Sequence, residues 1–156
     1  MMNHLELKVP PVAVMLCVVA GMWGIAWLVP RLAYYLAPEV SRGLAIFFAG
    51  VGVALALAGV WSFRQANTTV NPTTPDASSS VVTTGVYRLT RNPMYVGLLF
   101  LLVSWALYLS HTLAWLGIPA FILYMNRFQI GPEERSLSAK FGEEYTHFQQ
   151  KVRRWL

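Results

Sequence analysis

The segment Gly85-Val-Tyr-Arg-Leu-Thr-Arg-Asn-Pro-Met-Tyr-Val-Gly97 sets two arginines directly before an apolar run that begins near Tyr95. Asn92 followed by Pro93 reads as a helix start: asparagine caps well, and proline fits the first helical position, where an N–H has no partner anyway. A helix opening there presents free backbone N–H groups and a partial positive end, and Arg88 and Arg91 add full charge beside it. The result is an anion site at the edge of an apolar segment. The same residues also suit a capped transmembrane helix with basic anchors at the lipid headgroups. A second charged pair, Glu133-Glu134, follows Gly131-Pro132. In the first turn of a helix such acids complement the dipole; held near Arg91 they would bind hydroxyl or amino groups of a polar ligand.

The elements that must position these residues are apolar. Of the 156 residues 56% are hydrophobic and 12% charged, against roughly 25% charged in a soluble domain, so the sequence points to lipid as the main solvent. Four apolar runs stand out: Val12–Val29, Gly43–Trp61, Tyr95–Tyr108 and Thr112–Met125. The first two are long enough to span a bilayer; the last two, joined at Ser110-His111, are somewhat short and form an antiparallel hairpin whose arms either both cross, with tilt and borrowed flanking residues, or include one incomplete crossing. The first run ends in Leu28-Val29-Pro30 without a small-residue cleavage site and reads as a retained span. Gly50, Ala54 and Ala58 recur every four positions in the second, a packing signal. Residues 64–80, with Pro72 and Pro75, read as a loop, and Val81–Gly85 as briefly extended.

Beyond Gly131-Pro132 the apolar residues Leu137, Phe141, Tyr145, Phe148, Val152 and Trp155 trace one face of a helix interrupted at Gly142, with charged and polar residues opposite. This predicts a C-terminal amphipathic helix lying on the membrane or on the other helices. The fold class expected is therefore all-α: one membrane domain over 1–156, with two N-terminal spans in 1–62 and the charged segments in 63–156, about four transmembrane helices in all. With four spans, ten of the 12 basic residues fall on the side of the two termini and only Arg31 and Arg42 on the other, which predicts cytoplasmic termini. The Arg91 segment and the tail then share a face.

Several classes are excluded by composition. One cysteine, Cys17, allows no disulfide within the chain, and three scattered histidines with it form no metal-ligand cluster. The net charge of +5 flanks apolar runs without forming a stripe with aromatics, so anionic membrane lipid, not nucleic acid, is the expected counterpart.

The order Gly85, Tyr87, Arg91, Pro93, Tyr95, Gly97 leading into a hairpin, then Glu-Glu-x-x-Leu-x-x-x-Phe-Gly-x-x-Tyr (Glu133 to Tyr145) and a basic end Val152 to Arg154, resembles the isoprenylcysteine carboxyl methyltransferase family, whose relatives include the phospholipid methyltransferases. The resemblance covers roughly residues 63–156. It implies an integral membrane methyltransferase that uses S-adenosylmethionine, held between the Arg-x-Pro and Glu-Glu segments by Tyr87, Arg91, Asn92, Pro93, Tyr95, Gly97, Glu133 and Glu134. Arg91, Glu134 and Tyr87 are the catalytic candidates. The family usually has histidine where this chain has Asn92, so any role there is limited to capping or hydrogen bonding.

The chemistry of the residues agrees with that ligand. A carboxylate suits Arg91 and the helix start, while ribose hydroxyls or an ammonium suit the glutamates; Tyr87 and Tyr95 suit adenine. Methyl transfer is a displacement in which positioning supplies most of the rate. None of His4, His111 and His147 is placed with the clamp by sequence, which favours a lipophilic acceptor that arrives ionised, a carboxylate or thiolate, over an amine. A non-enzymatic four-helix module binding lipid or a partner is the other class that fits.

Overall fold

The computed structural model describes residues 6–66 and 78–156, whose regular elements are all helical, with no strand among them. Three of the long helices open on a proline in their first turn: α1 (Pro11–Leu28), α2 (Pro38–Gln65) and α3 (Pro93–Leu109). The ring pre-sets φ for the helix and removes an N–H that would lack a partner. Pro38 thus starts α2 ahead of the apolar run expected from Gly43. At 28 residues α2 is about 42 Å long, well over the roughly 30 Å of bilayer hydrocarbon. The loop expected over 64–80 lies mostly outside the described residues, and 81–83 form no strand.

Contacts place the helix ends in two groups. At one end Leu7 N–H donates to the Phe128 carbonyl (3.0 Å) and Arg91 N–H to the Arg153 carbonyl (2.9 Å), and Phe63 meets Tyr87 edge to face. At the other end Ser41 Oγ donates to the Leu107 carbonyl (2.8 Å), Tyr34 N–H to the Ser110 carbonyl (2.9 Å), and His111 Nε2 to the Val29 carbonyl (2.8 Å). Ser110, left-handed at φ 48° and ψ 47°, ends α3 and turns the chain back. Both termini of the described chain lie at the first end.

α2 and α3 make the closest crossing. A Cβ on Gly52 would sit 2.7 Å from the Gly97 carbonyl, and one on Gly97 would sit 2.6 Å from the Gly52 carbonyl. The buried small residues of α2 are Ala45, Gly52 and Gly59, seven apart. This corrects the expected stripe of Gly50, Ala54 and Ala58: Gly50 faces open space. Seven residues return to nearly the same helix face, about 20° off, whereas successive steps of four walk around it.

The second arm of the hairpin does not stop. Residues 112–116 wind tightly, α4 (Gly117–Tyr124) follows, residues 125–130 form a π-helical turn, and α5 (Gly131–Phe141) continues it, every junction keeping helical angles. The expected helix start at Gly131-Pro132 is absent. Pro132 is accommodated because Gly131 N–H reaches five residues back to the Asn126 carbonyl, and the Phe128 carbonyl, which Pro132 cannot serve, accepts from Leu7. Gly142 (φ 55°) then breaks the helix as its sequence position predicts, and α6 spans Glu143–Lys151.

Two apolar clusters result. One, containing Met22, Leu102, Phe121 and Met125, joins α1, α3 and α4. The other, built on Val82, Tyr87, Tyr145 and Phe148 with Leu137, Phe141 and Val152 against it, seats the tail on residues 81–87 and the end of α2. Outward, α1 and α2 are long and apolar enough to cross a membrane, with mean hydropathies of 2.0 and 2.3 and only 17% of each span buried. Trp23, Trp27, Phe47, Leu57 and Trp61 are all exposed there. A soluble protein does not leave such a contiguous surface to water.

Candidate active site

At the end that holds both termini, the turn Thr90–Asn92, the first turn of α3, the start of α5 and the tail beyond α6 converge. The Arg91 side chain lies between α5 and α6: its Nη2 donates to Glu134 Oε1 (2.9 Å) and its Nη1 to the Gln149 carbonyl (2.9 Å). Its Nε is buried with no partner. Glu134 is held a second time by Arg154, whose Nε donates to Oε1 at 3.1 Å and whose Nη2 donates to Oε2. The Arg91 and Glu134 side chains are only 11% and 13% exposed, whereas that of Arg154 is 37% exposed. Bonding to Glu134 raises the Arg154 pKa further, so its charge is fixed.

Glu133 points to different partners. Its Oε2 accepts from the Tyr95 hydroxyl (3.0 Å), which in turn receives Gln129 Nε2 at 3.4 Å. Burial raises the Glu133 carboxyl to about 7; the Tyr95 bond opposes the shift and the neighbouring charge of Glu134 adds to it. Two adjacent carboxylates therefore differ in kind: Glu134 is paired with two cations, and Glu133 titrates near neutrality. Tyr87 is buried with its ring 5.4 Å from Phe63. Burial, then the charge of Glu133, pushes its hydroxyl pKa well up, so it stays a neutral phenol and is unsuited to act as a base.

Asn92 and Pro93 do open α3, but Asn92 makes no side-chain cap bond. Its Nδ2 donates to the Arg154 carbonyl (2.9 Å), and its own N–H is taken by Thr90 Oγ1 (3.2 Å). The capping role expected of Asn92 is thus corrected to a tether for the tail, with Thr90 serving the backbone. Gly97 lies at the crossing with α2, where close packing accounts for it. Arg88, expected beside Arg91, is exposed on the short helical turn Gly85–Arg88. Glu133 and Glu134 cannot be first-turn acids of a free helix end, because the helix runs through them from α4.

Arg154, the Gln149 carbonyl and Gln129 belong to the site without having been singled out in the sequence. Arg154 lies beyond the end of α6, which stops at Lys151 with Val152 extended, so the helical face expected to run on through Val152 and Trp155 is corrected there; its place in the Val-Arg-Arg end was the one available signal. His111 is buried at the opposite end and His147 is exposed on α6. Among the described residues no three His, Cys, Asp or Glu side chains are arranged to hold a metal ion.

The arrangement joins two cations directly to one carboxylate, Glu134, with a second carboxyl beside it, Glu133, able to carry a proton at neutral pH. It suits a zwitterionic ligand better than a simple anion. Comparison with known proteins bears on what that ligand is for. A protein of Haemophilus influenzae described only as uncharacterized is 56% identical over 63 residues, which is 40% of this chain and all of that protein. No solved structure matches the chain significantly. The family model for phospholipid methyltransferase matches residues 40–144, taking in α2, α3, the Arg91 segment and the Glu133-Glu134 pair. With more than half of its length matched, this chain belongs to the phospholipid methyltransferase family, which also covers the isoprenylcysteine carboxyl methyltransferase-like proteins.

Proposed function

We propose that the protein transfers a methyl group from S-adenosylmethionine to a lipophilic acceptor at the membrane surface. The observation that carries this reading is the half-buried clamp of Arg91, Glu134 and Glu133 inside the matched methyltransferase segment. The residues fit the cofactor: Arg91 keeps one buried, unpartnered N–H donor for a carboxylate oxygen, and the glutamates offer acceptors for an ammonium or ribose hydroxyls. Tyr87, Tyr95 and the Asn92-Pro93 turn complete the surroundings. When bound, S-adenosylmethionine supplies an electrophilic methyl on a sulfonium. The chain's own work is then to bind, orient and exclude water.

Four helical passes, with both termini and the clamp on the cytoplasmic side and α6 as an amphipathic element there, make up the proposed topology. The ten-to-two division of basic residues supports it. An account of Arg91, Glu133 and Glu134 as mere caps and anchors is weakened, because all three turn inward and no helix begins at Gly131.

For the acceptor, an ionised carboxylate or thiolate such as an isoprenylcysteine-type carboxyl group remains the primary reading, since it needs no strong base. One observation favours a second, an aminophospholipid: a Glu133 carboxyl near 7 is tuned to take the proton an amine must lose. Incubation of the purified protein with methyl-labelled cofactor and each acceptor class separates them. Label on the carboxylate or thiolate is the expected result. Label on the amine alone selects the second reading, and label on none contradicts both.

A further inference from the structure

Arg154 touches both halves of the clamp at once. Its main-chain carbonyl accepts from Asn92 Nδ2 (2.9 Å) and from Thr90 Oγ1 (3.1 Å), on the turn before α3. Its guanidinium forks onto both oxygens of Glu134, on α5. A two-point fork fixes the plane of a carboxylate as well as its position. Arg91 then meets Oε1 of an acceptor already oriented for it. The following residue pins the tail: Trp155 Nε1 donates to Asn126 Oδ1 (3.0 Å), the residue whose carbonyl closes the π turn.

Charge adds a second argument. Glu134 alone would neutralise Arg91, leaving no net attraction for an anion. With Arg154 these three side chains carry one net positive charge, which Glu133 beside them, its carboxyl raised to about 7, offsets only in part at neutral pH, and Arg154 is the most accessible of the three at 37% exposed. The family match ends at residue 144, so it assigns nothing to this position.

We propose that Arg154 is a positioning residue of the methyl-transfer site, which orients Glu134 and holds the excess positive charge that favours the carboxylate at the cofactor's amino-acid end. This deepens the reading of the clamp as an S-adenosylmethionine site and rests on it.

The test uses the full chain in detergent and two ligands. S-adenosylhomocysteine has the amino-acid end; 5′-methylthioadenosine keeps the nucleoside and lacks that end. Arg154→Gln is expected to weaken S-adenosylhomocysteine at least tenfold while changing 5′-methylthioadenosine less than about twofold. Arg154→Lys, which restores charge without the fork, falls between wild type and Arg154→Gln. Equal losses for both ligands would make Arg154 a general support of the fold, and unchanged affinity for both would make it a spectator; either overturns the proposal. Wild-type protein that binds neither ligand at millimolar concentration would instead overturn the cofactor reading on which it rests.

Discussion

Glu133 and Glu134 are neighbours in sequence and opposites in environment. Glu134 accepts from two guanidinium groups, whereas Glu133 is half-buried against a tyrosine hydroxyl and has its carboxyl raised from 4.5 to about 7. The raised value has a sign that can be measured. Between pH 4.5 and 7 the folded protein holds a proton on Glu133 that the unfolded chain has released, so stability is highest below this window and falls as pH rises through it. At about 1.4 kcal/mol per unit the full loss is on the order of 3 kcal/mol. Thermal unfolding in detergent from pH 4.5 to 8 should show this decline in wild type and a flatter profile in Glu133→Gln; identical profiles would mean that Glu133 is ionised throughout. At this scale the residue types of the site were legible, because Arg91 and the glutamates are conspicuous among apolar runs. Their partners were not. That Asn92 bonds a carbonyl 62 residues away depends on where the tail comes to rest, and no local pattern encodes it.

Among the elements, the paired crossing of α2 and α3 and the π turn before α5 decide the geometry of the site. Gly52 and Gly97 approach each other through backbone, with no flexible side chain able to yield. Gly97→Val should therefore force the helices apart and cost several kcal/mol, beyond the usual ~1–3 kcal/mol of an overpacked site. It should also loosen the Arg91 turn that α3 carries. Gly50→Ala, facing open space, should stay within about 0.5 kcal/mol of wild type. Unfolding midpoints of the two variants in one detergent check the contrast, and a tolerated Gly97→Val would remove the crossing as the anchor of α3. The helix start at Pro93 was readable, and the break at Gly142 likewise, since each follows from local backbone chemistry; the start at Pro38 was not, because the apolar run that marked the second span begins only at Gly43. The π turn was not. Gly131-Pro132 reads as a boundary locally, and only the Leu7 N–H donated from the far end of the chain lets the helix continue past it.

Over the whole molecule, the helices bring both ends of the described chain together, where Glu6 pairs with Arg135 (2.7 Å) and Arg154 with Glu134, as the proposed four-pass arrangement requires. Reporters fused after Leu156 and within Ser110-His111 should respond on opposite sides of the membrane, the C-terminal one in the cytoplasm. Matching signals from both positions would contradict the four-pass arrangement. The all-helical class and the meeting of the two charged segments followed from hydropathy and from the distribution of basic residues. The small-residue register of α2 did not, because a spacing of four and one of seven are both present in the sequence and only the partner helix selects between them. The central claim is that the Arg91–Glu134 clamp is a binding site for S-adenosylmethionine, and equilibrium binding of labelled cofactor to the purified protein tests it most directly. Wild type should bind, and Arg91→Gln and Glu134→Gln, verified as folded by their unfolding transitions, should bind about 10- to 150-fold more weakly, the range expected for loss of about 1.5–3 kcal/mol in a charge-assisted bond. Undiminished binding by both folded variants, or no binding by wild type at millimolar cofactor, would contradict it.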